Sequence, residues 1–339
     1  MIRSSVDRLH PYTPGEQPKD PSVLKLNTNE NPYPPSPAVA EALAALDPAD
    51  LRKYPDPVAI ELRQAIASLH GARVEQVIAG NGSDELLALC TRAFVEPDGL
   101  ISYLEPSYSL YPVLGDIADI RREPMPLNPG FVADFSAVPA AGLFLLTNPN
   151  APTSMAADPD AIRAFCESFS GVVVIDEAYA DFADTHCLEL AMRLPNVIVM
   201  RTFSKSYSLA GIRLGYAVGP APLIEALFKI KDSYNLDVLT QAIGLAAVRD
   251  QDHMCRNAEK IVATRQRVTG KLVDMGYQVL PSQANFLFIK PPGIDAEVLF
   301  QQLRSQNVIV RYFPGGMTAE YLRVTVGTDE EMDEFLNAL

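Results

Sequence analysis

The thirteen residues Arg201-Thr-Phe-Ser-Lys-Ser-Tyr-Ser-Leu-Ala-Gly-Ile-Arg213 place one lysine between two arginines and among the hydroxyls of Thr202, Ser204, Ser206, Tyr207 and Ser208. An apolar run, Val197 to Met200, precedes the stretch, and another, Leu214 to Val218, follows it. An amine at a strand end suits attack on the aldehyde of a phosphorylated cofactor, with Lys205 supplying the imine nitrogen. The hydroxyls and Arg213 would hold a phosphate dianion. The other reading of such a loop is a solvated surface lysine without chemistry.

Further groups are read against this one. Asp176 ends a run that is apolar on both faces, so its carboxylate is expected to be partly buried and to need a cation or donor. A protonated pyridine nitrogen is one such partner; capping of the following helix is the other use. Tyr179, three residues on, is placed to bond a phenolate oxygen, and Asn150 offers a side-chain amide in an Asn-Pro turn segment. Tyr108 is either a ring that stacks on an aromatic cofactor or a core tyrosine. In Gly80-Asn-Gly-Ser-Asp-Glu the glycines allow a tight turn into a helix whose free amides near Ser83 and Asp84 can hold phosphate; alternatively Ser83 is a plain N-cap. Arg311 and Arg323, beside strand-like runs near the carboxyl end, are either carboxylate or phosphate binders or exposed strand residues.

The elements that must carry these groups alternate. Helices are expected from Ala38 to Leu51 and from Val58 to Leu69, with Tyr54-Pro-Asp-Pro between them. Strands at Val77 to Ala79, Ile101 to Leu104, Leu143 to Leu146, Val172 to Ile175 and Val197 to Met200 are interleaved with helices from Asp84, Tyr108 and Pro159. This predicts an α/β domain with a mainly parallel sheet covered on both faces. Each polar motif directly follows an apolar run, so five unconnected segments converge beyond the carboxyl ends of the strands. The link from Lys205 to Ile212 is too short for a helical crossover, which makes the strand from Leu214 antiparallel to its predecessor. After about residue 240 a long helical stretch, Gln241 to Gly270, gives way to short strands and helices of a smaller α+β unit. The expected division is an arm at 1–45, a large unit at 46–245 and a small unit at 246–339.

The chain has 339 residues and a formal charge of −14, with no Lys/Arg-rich run, which argues against nucleic acid or an anionic membrane as partner. No segment is apolar for long enough to span a bilayer, and no signal-like start is present, so a cytoplasmic location is expected. The four cysteines form no Cys-x-x-Cys pair and the four histidines no His-x-x-x-His pair, so no metal site is expected. The first fifty residues, rich in proline and asparagine, read as an extended arm anchored by Tyr12, Leu24, Leu26 and Tyr33.

Taken together, Pro11-Tyr-Thr-Pro-Gly, Leu26-Asn-Thr-Asn-Glu-Asn-Pro, Tyr54-Pro-Asp-Pro, Gly80-Asn-Gly-Ser-Asp-Glu, Asp176-Glu-Ala-Tyr, Thr202-Phe-Ser-Lys with Gly211-Ile-Arg, and Leu322-Arg-Val-Thr-Val-Gly-Thr resemble the pyridoxal-phosphate-dependent aminotransferases of fold type I. The likeness covers nearly the whole chain and includes the eight-residue spacing from Lys205 to Arg213. It implies pyridoxal 5'-phosphate as cofactor, a ping-pong transamination with glutamate and 2-oxoglutarate, and a homodimer with shared active sites. By it Lys205 carries the cofactor, Asp176 pairs with its ring nitrogen, Tyr108 stacks on the ring, and Tyr179 and Asn150 bond the phenolic oxygen. The amides of Ser83 and Asp84, with Thr202, Ser204 and Arg213, take the phosphate, joined by Tyr54 of the other subunit. Arg323 and Asn29 face the substrate, and Tyr12 and Arg311 approach its far end, where a phosphorylated amino alcohol would carry its phosphate. The alternatives are an aromatic or broad-range aminotransferase and a lyase acting on a phosphorylated amino acid. Two departures from the family pattern stand out: Ala151 and Ser154 replace an asparagine and a glycine, and Glu16 follows Gly15 where a lysine is frequent, which sets an acid near the expected phosphate.

Overall fold

A computed structural model describes residues 1–2, 4–9 and 14–339 of the chain. Its largest sheet has seven strands in the order Val77–Asn81, Leu214–Val218, Val197–Thr202, Val172–Asp176, Leu143–Thr147, Leu100–Glu105 and Arg121–Pro126. The four central and right-hand pairings from Val197–Thr202 to Arg121–Pro126 are parallel, and Leu214–Val218 is antiparallel to both of its neighbours, as the short link predicted. The inner strands are apolar on both faces because helices cover both faces: Leu143–Thr147 and Val197–Thr202 are buried throughout. On one side Ile78, Leu145, Val174 and Ile198 pack under the helix Gly82–Phe94; on the other Phe144, Ile175 and Val199 join the core that runs on into the carboxyl-terminal region.

That region holds a second sheet, Arg311–Tyr312, Leu322–Thr325, Phe286–Lys290 and Gln278–Val279, antiparallel throughout. The amino-terminal arm lies against this region: Leu24–Lys25 pairs in parallel with Val308–Ile309 as a separate two-stranded sheet, and the Thr325 amide of the four-stranded sheet donates to the Leu26 carbonyl at 2.9 Å. The fold is therefore the α/β architecture with a mainly parallel sheet that the alternation of runs predicts.

One strand is unforeseen and two expected helices are corrected. The edge strand Arg121–Pro126 has no apolar run to announce it, since five of its six residues keep contact with solvent. The stretch 241–270 is two helices, Val238–Arg249 and Gln251–Asp274, broken where Asp250 turns its carboxylate to the His253 amide as an N-cap. The stretch 38–51 likewise divides into Pro37–Ala45 and a 3₁₀ turn, Pro48–Arg52, started by Asp47.

Candidate active site

Asp176 is the last residue of its strand and lies in register between Thr147 and Met200 of the neighbouring strands. It is 3% exposed. One oxygen accepts the Ala178 amide at 3.1 Å, and the Tyr111 hydroxyl reaches the other at 3.5 Å. Burial outweighs these donors and pushes its carboxyl up to about 7. A carboxylate so placed is short of positive charge, which is the fit a protonated ring nitrogen requires.

Lys205 lies three residues beyond the Val197–Thr202 strand and faces the same cavity, of about 410 Å³. Its Nζ donates to the Thr28 carbonyl at 3.2 Å and stands 5.8 Å from the centre of the Tyr179 ring. Burial, with Arg323 nearby, holds the amine down to about 8, so a useful fraction is unprotonated and nucleophilic near neutrality. Tyr179, which is buried, receives a hydrogen bond from Asn29 Nδ2 at 3.0 Å on its hydroxyl.

One end of the cavity is built for an anion. Ser83 and Asp84 lie in the first turn of the helix Gly82–Phe94, whose leading amides have no partner within the helix. The helix can start against the sheet only because position 215 is glycine: a Cβ there would stand 2.6 Å from the Ser83 nitrogen. Gly82 has φ +77°, and a Cβ on it would meet the Arg213 guanidinium at 2.9 Å, so both glycines let the arginine and the helix start share one pocket. Thr202 and Ser204 are buried, with their hydroxyls 3.0 Å apart. Asp84 accepts the Tyr108 hydroxyl at 3.0 Å and stands 3.4 Å from Arg213. The helix cap is Asn81 rather than Ser83, which leaves Ser83 facing the cavity.

Also lining the cavity, Arg311 and Arg323 are direct partners across two antiparallel strands, with Phe313 beneath both guanidinium groups, 5.5 and 5.3 Å from its ring centre. Arg323 donates to the Asn27 carbonyl at 2.9 Å. The cavity therefore carries two cations here for an acidic substrate group.

Four expectations need separate report. Asn150 does not line this cavity: its carboxamide is engaged with Ser107 Oγ, the Pro106 carbonyl and Thr153 Oγ1, and the group that reaches the Tyr179 hydroxyl is Asn29. Tyr54 is 80% exposed and stacks on Tyr234 rather than facing the cavity of its own chain. Glu16 does not oppose an anion in the cavity, because its carboxylate is turned to Arg304 in a two-pronged pair at 2.6 and 3.0 Å. Tyr12 lies outside the described residues.

Sequence reading missed the group beneath the lysine loop. Arg201 is 9% exposed and donates through Nε and Nη2 to Glu177 at 3.1 and 2.8 Å and through Nη1 to Asp181 at 3.2 Å, while Ser206 donates to the other oxygen of Asp181. The signal was present in Glu177 and Asp181 flanking the Asp176 motif and in Arg201 opening the lysine stretch, but nothing in one dimension pairs them. Thr28, Ser107 and Thr147 also line the cavity unannounced.

The fold and cavity are those of a fold type I aminotransferase. Residues 21–339 match the family described as aminotransferase class I and II, and the chain belongs to it. It is 43% identical over 339 residues to histidinol-phosphate aminotransferase of Synechocystis sp., covering all of this chain and 97% of that one. It is 45% identical to histidinol-phosphate aminotransferase of Gluconacetobacter diazotrophicus, over 98% and 95% of the two chains. Among solved structures, histidinol-phosphate aminotransferase of Sinorhizobium meliloti in complex with pyridoxal-5'-phosphate superposes with a TM-score of 0.86 at 28% identity, over 93% of this chain and 89% of that one. A tetra mutant of aspartate aminotransferase of Thermus thermophilus, at 20% identity and a TM-score of 0.83 over 100% of this chain and 98% of that one, shares the fold. Among the described residues no helix is long and apolar enough to cross a membrane, and no cluster of metal-ligating side chains occurs.

Proposed function

We propose that this chain moves an amino group between histidinol phosphate and 2-oxoglutarate, giving imidazole-acetol phosphate and glutamate in histidine biosynthesis, with pyridoxal 5'-phosphate as cofactor. The observation that carries this reading is a single cavity holding an amine lowered by burial, at Lys205, and a carboxyl raised by it, at Asp176. The full-length likeness to relatives bearing that activity's name supports the choice of substrate. When bound, the cofactor supplies an aldehyde for an amine to attack and a ring that accepts the electron pair left behind by a departing proton.

The chain's own groups do the rest. Lys205 would hold the cofactor's aldehyde through its Nζ, and the same amine, when free, would serve as the base that takes up and returns the substrate's proton. Asp176 would hold a proton on the ring nitrogen, Tyr108 would cover a ring face, and Tyr179, with Asn29 behind it, would donate to the phenolic oxygen. The amides at Ser83 and Asp84, the hydroxyls of Thr202 and Ser204, and Arg213 would bind the phosphate. Arg323 would take a substrate carboxylate and Arg311 the far end, where histidinol phosphate carries its phosphate. Asn150 is assigned a supporting part, fixing the Ser107 turn. We assign the large cofactor-binding unit to residues 46–245 and the small one to 246–339 with the arm 1–45, and the cytoplasm as the place of work.

Glutamate-dependent transamination of imidazole-acetol phosphate against phenylpyruvate tests the substrate. A charge-assisted contact to a phosphate is worth about 1.5–3 kcal/mol, so kcat/KM should favour the phosphorylated acceptor by at least about tenfold to a hundredfold. Equal or better use of phenylpyruvate would replace this reading by that of an aromatic aminotransferase.

A homodimer belongs to the same proposal. Leu51, Tyr54, Val58, Tyr234 and Leu239 expose 38–80% of their surface, an apolar set suited to a second copy. Tyr54 would there reach the partner's phosphate site. Sedimentation should show a dimer at assay concentrations, and a monomer with full activity would remove Tyr54 from the site.

A further inference from the structure

The arm grips Lys205 at both of its ends. Asn31 Nδ2 donates to the Lys205 carbonyl at 3.0 Å and to the Ser206 carbonyl at 3.2 Å, while Asn31 Oδ1 accepts the Tyr33 amide at 3.0 Å and so holds the carboxamide in a turn. Three residues earlier the Thr28 carbonyl accepts Lys205 Nζ. Between these two contacts Asn29 is 1% exposed and sits at φ +56°. Its amide donates to Thr325 Oγ1 at 2.9 Å, its carbonyl accepts Asn285 Nδ2 at 3.0 Å, and its side chain donates to Tyr179. The segment is thus pinned to the smaller sheet and cannot drift with the lysine.

We propose that Asn31 is a positioning residue for Lys205 and that the Thr28 carbonyl is where the lysine amine docks whenever it is free. The inference rests on the reading of Lys205 as the cofactor-carrying amine. Residues 203–209 form no strand or helix; within the loop the Lys205 carbonyl accepts only the Ser208 amide, at 3.3 Å, and the shorter contact on that carbonyl is the one from Asn31, at 3.0 Å. A lysine has four rotatable bonds and loses up to about 2 kcal/mol of side-chain entropy when fixed; anchoring its carbonyl and offering its nitrogen one acceptor confines both ends of that stem. A carbonyl suits the docking role because it accepts from either the ammonium or the neutral amine and takes no proton itself. An aspartate or glutamate there would hold the amine in its charged, unreactive form.

The test uses the full chain, stripped of cofactor and then reloaded. Competitive acetylation, read by mass spectrometry of the Lys205 peptide across neutral to alkaline pH, should give a midpoint near 8 in the unsubstituted chain. In Asn31→Ala it should move toward the ordinary lysine value by roughly one unit, because the loosened stem lets the amine reach water. In the reloaded enzyme kcat should fall by roughly ten- to a hundredfold while KM for the amino donor changes less than about twofold, as expected when a reacting group is misplaced and substrate contacts are not. Asn31→Asp keeps the acceptor for Tyr33 and loses the donor to Lys205, so its kcat should fall with that of the alanine variant. Activity in Asn31→Asp like that of the unsubstituted enzyme would show that the turn matters and the clamp does not, and would overturn the proposal. So would an Asn31→Ala chain with an unmoved midpoint and unchanged kcat. Should Lys205 of the unsubstituted chain prove not to carry the cofactor, the proposed function itself fails; carriage with insensitive Asn31 variants defeats only this inference.

Discussion

Lys205→Ala should fold and pack as the unsubstituted chain does, yet lose covalent attachment of pyridoxal phosphate together with essentially all turnover. Two roles vanish with one nitrogen, attachment and proton transfer. Positioned proton transfer alone contributes about 10²–10⁴-fold, so a fall of at least about 10⁴ in kcat is expected. Reduction of the loaded protein with borohydride followed by peptide mapping checks the attachment directly: the tag should sit on the peptide holding Lys205 and be missing from the variant. A tag on another lysine, or a variant that keeps both tag and turnover, would move the carrier elsewhere.

The same group gives a pH dependence whose sign is fixed by burial. In the cofactor-free chain the amine titrates at about 8, below the usual lysine value, because the enclosed site disfavours its charged form. Uptake of pyridoxal phosphate should therefore accelerate as pH rises through about 8 and then level off, instead of climbing toward the range of an exposed lysine. For stability the direction agrees: between about 8 and the ordinary value of 10.5 the unfolded chain binds the proton that the folded chain has released, so the lysine's contribution to stability grows with pH across that window. Below it the folded chain must protonate an enclosed amine, and the contribution is lost.

How much of this could be read from the sequence depended on whether a group's partner was close by in the chain. Strands such as Leu143–Thr147, Val172–Asp176 and Leu214–Val218 were legible because helices on both faces require unbroken apolar runs, and the site was legible where a motif closes a strand, as at Asp176 and Lys205. The edge strand Arg121–Pro126 was hidden by the same logic: with solvent along one side it needs no apolar run and tolerates Pro124 and Pro126. The break at Asp250 was missed because apolar spacing continues across it, so that only the capping contact marks the join. Asn150 and Asn29 were the hardest to separate. Both are buried asparagines in proline-rich turns, and the contact that distinguishes them, Asn29 to Tyr179, spans 150 positions of sequence. Glu16 shows the converse error, a charge judged from its neighbours in sequence when its partner, Arg304, lies 288 positions away.

Asp176→Asn should preserve the fold and cofactor attachment while lowering turnover by about 10²–10⁴-fold. Asparagine keeps the shape and can still accept the Ala178 amide, but it brings no negative charge to a buried site. Removing one member of a buried charged pair costs about 3–5 kcal/mol, which is the basis of that range when the cost falls on the transition state. The free chain supplies the sign of an accompanying effect. Without a cation beside it, Asp176 is raised to about 7 by burial, so between 3.8 and about 7 the folded chain holds a proton that the unfolded chain has lost, and this aspartate's contribution to stability declines as pH rises through that window. A bound cation reverses the preference by stabilising the carboxylate, so thermal stabilisation by pyridoxal phosphate should be larger at pH above about 7 than below it. Asp176→Asn should flatten that difference. Melting temperatures with and without cofactor on both sides of neutrality, together with kcat for the variant, decide the matter: near-normal turnover, or an undiminished pH dependence of stabilisation, would show that the charge at 176 is not what the ring nitrogen meets.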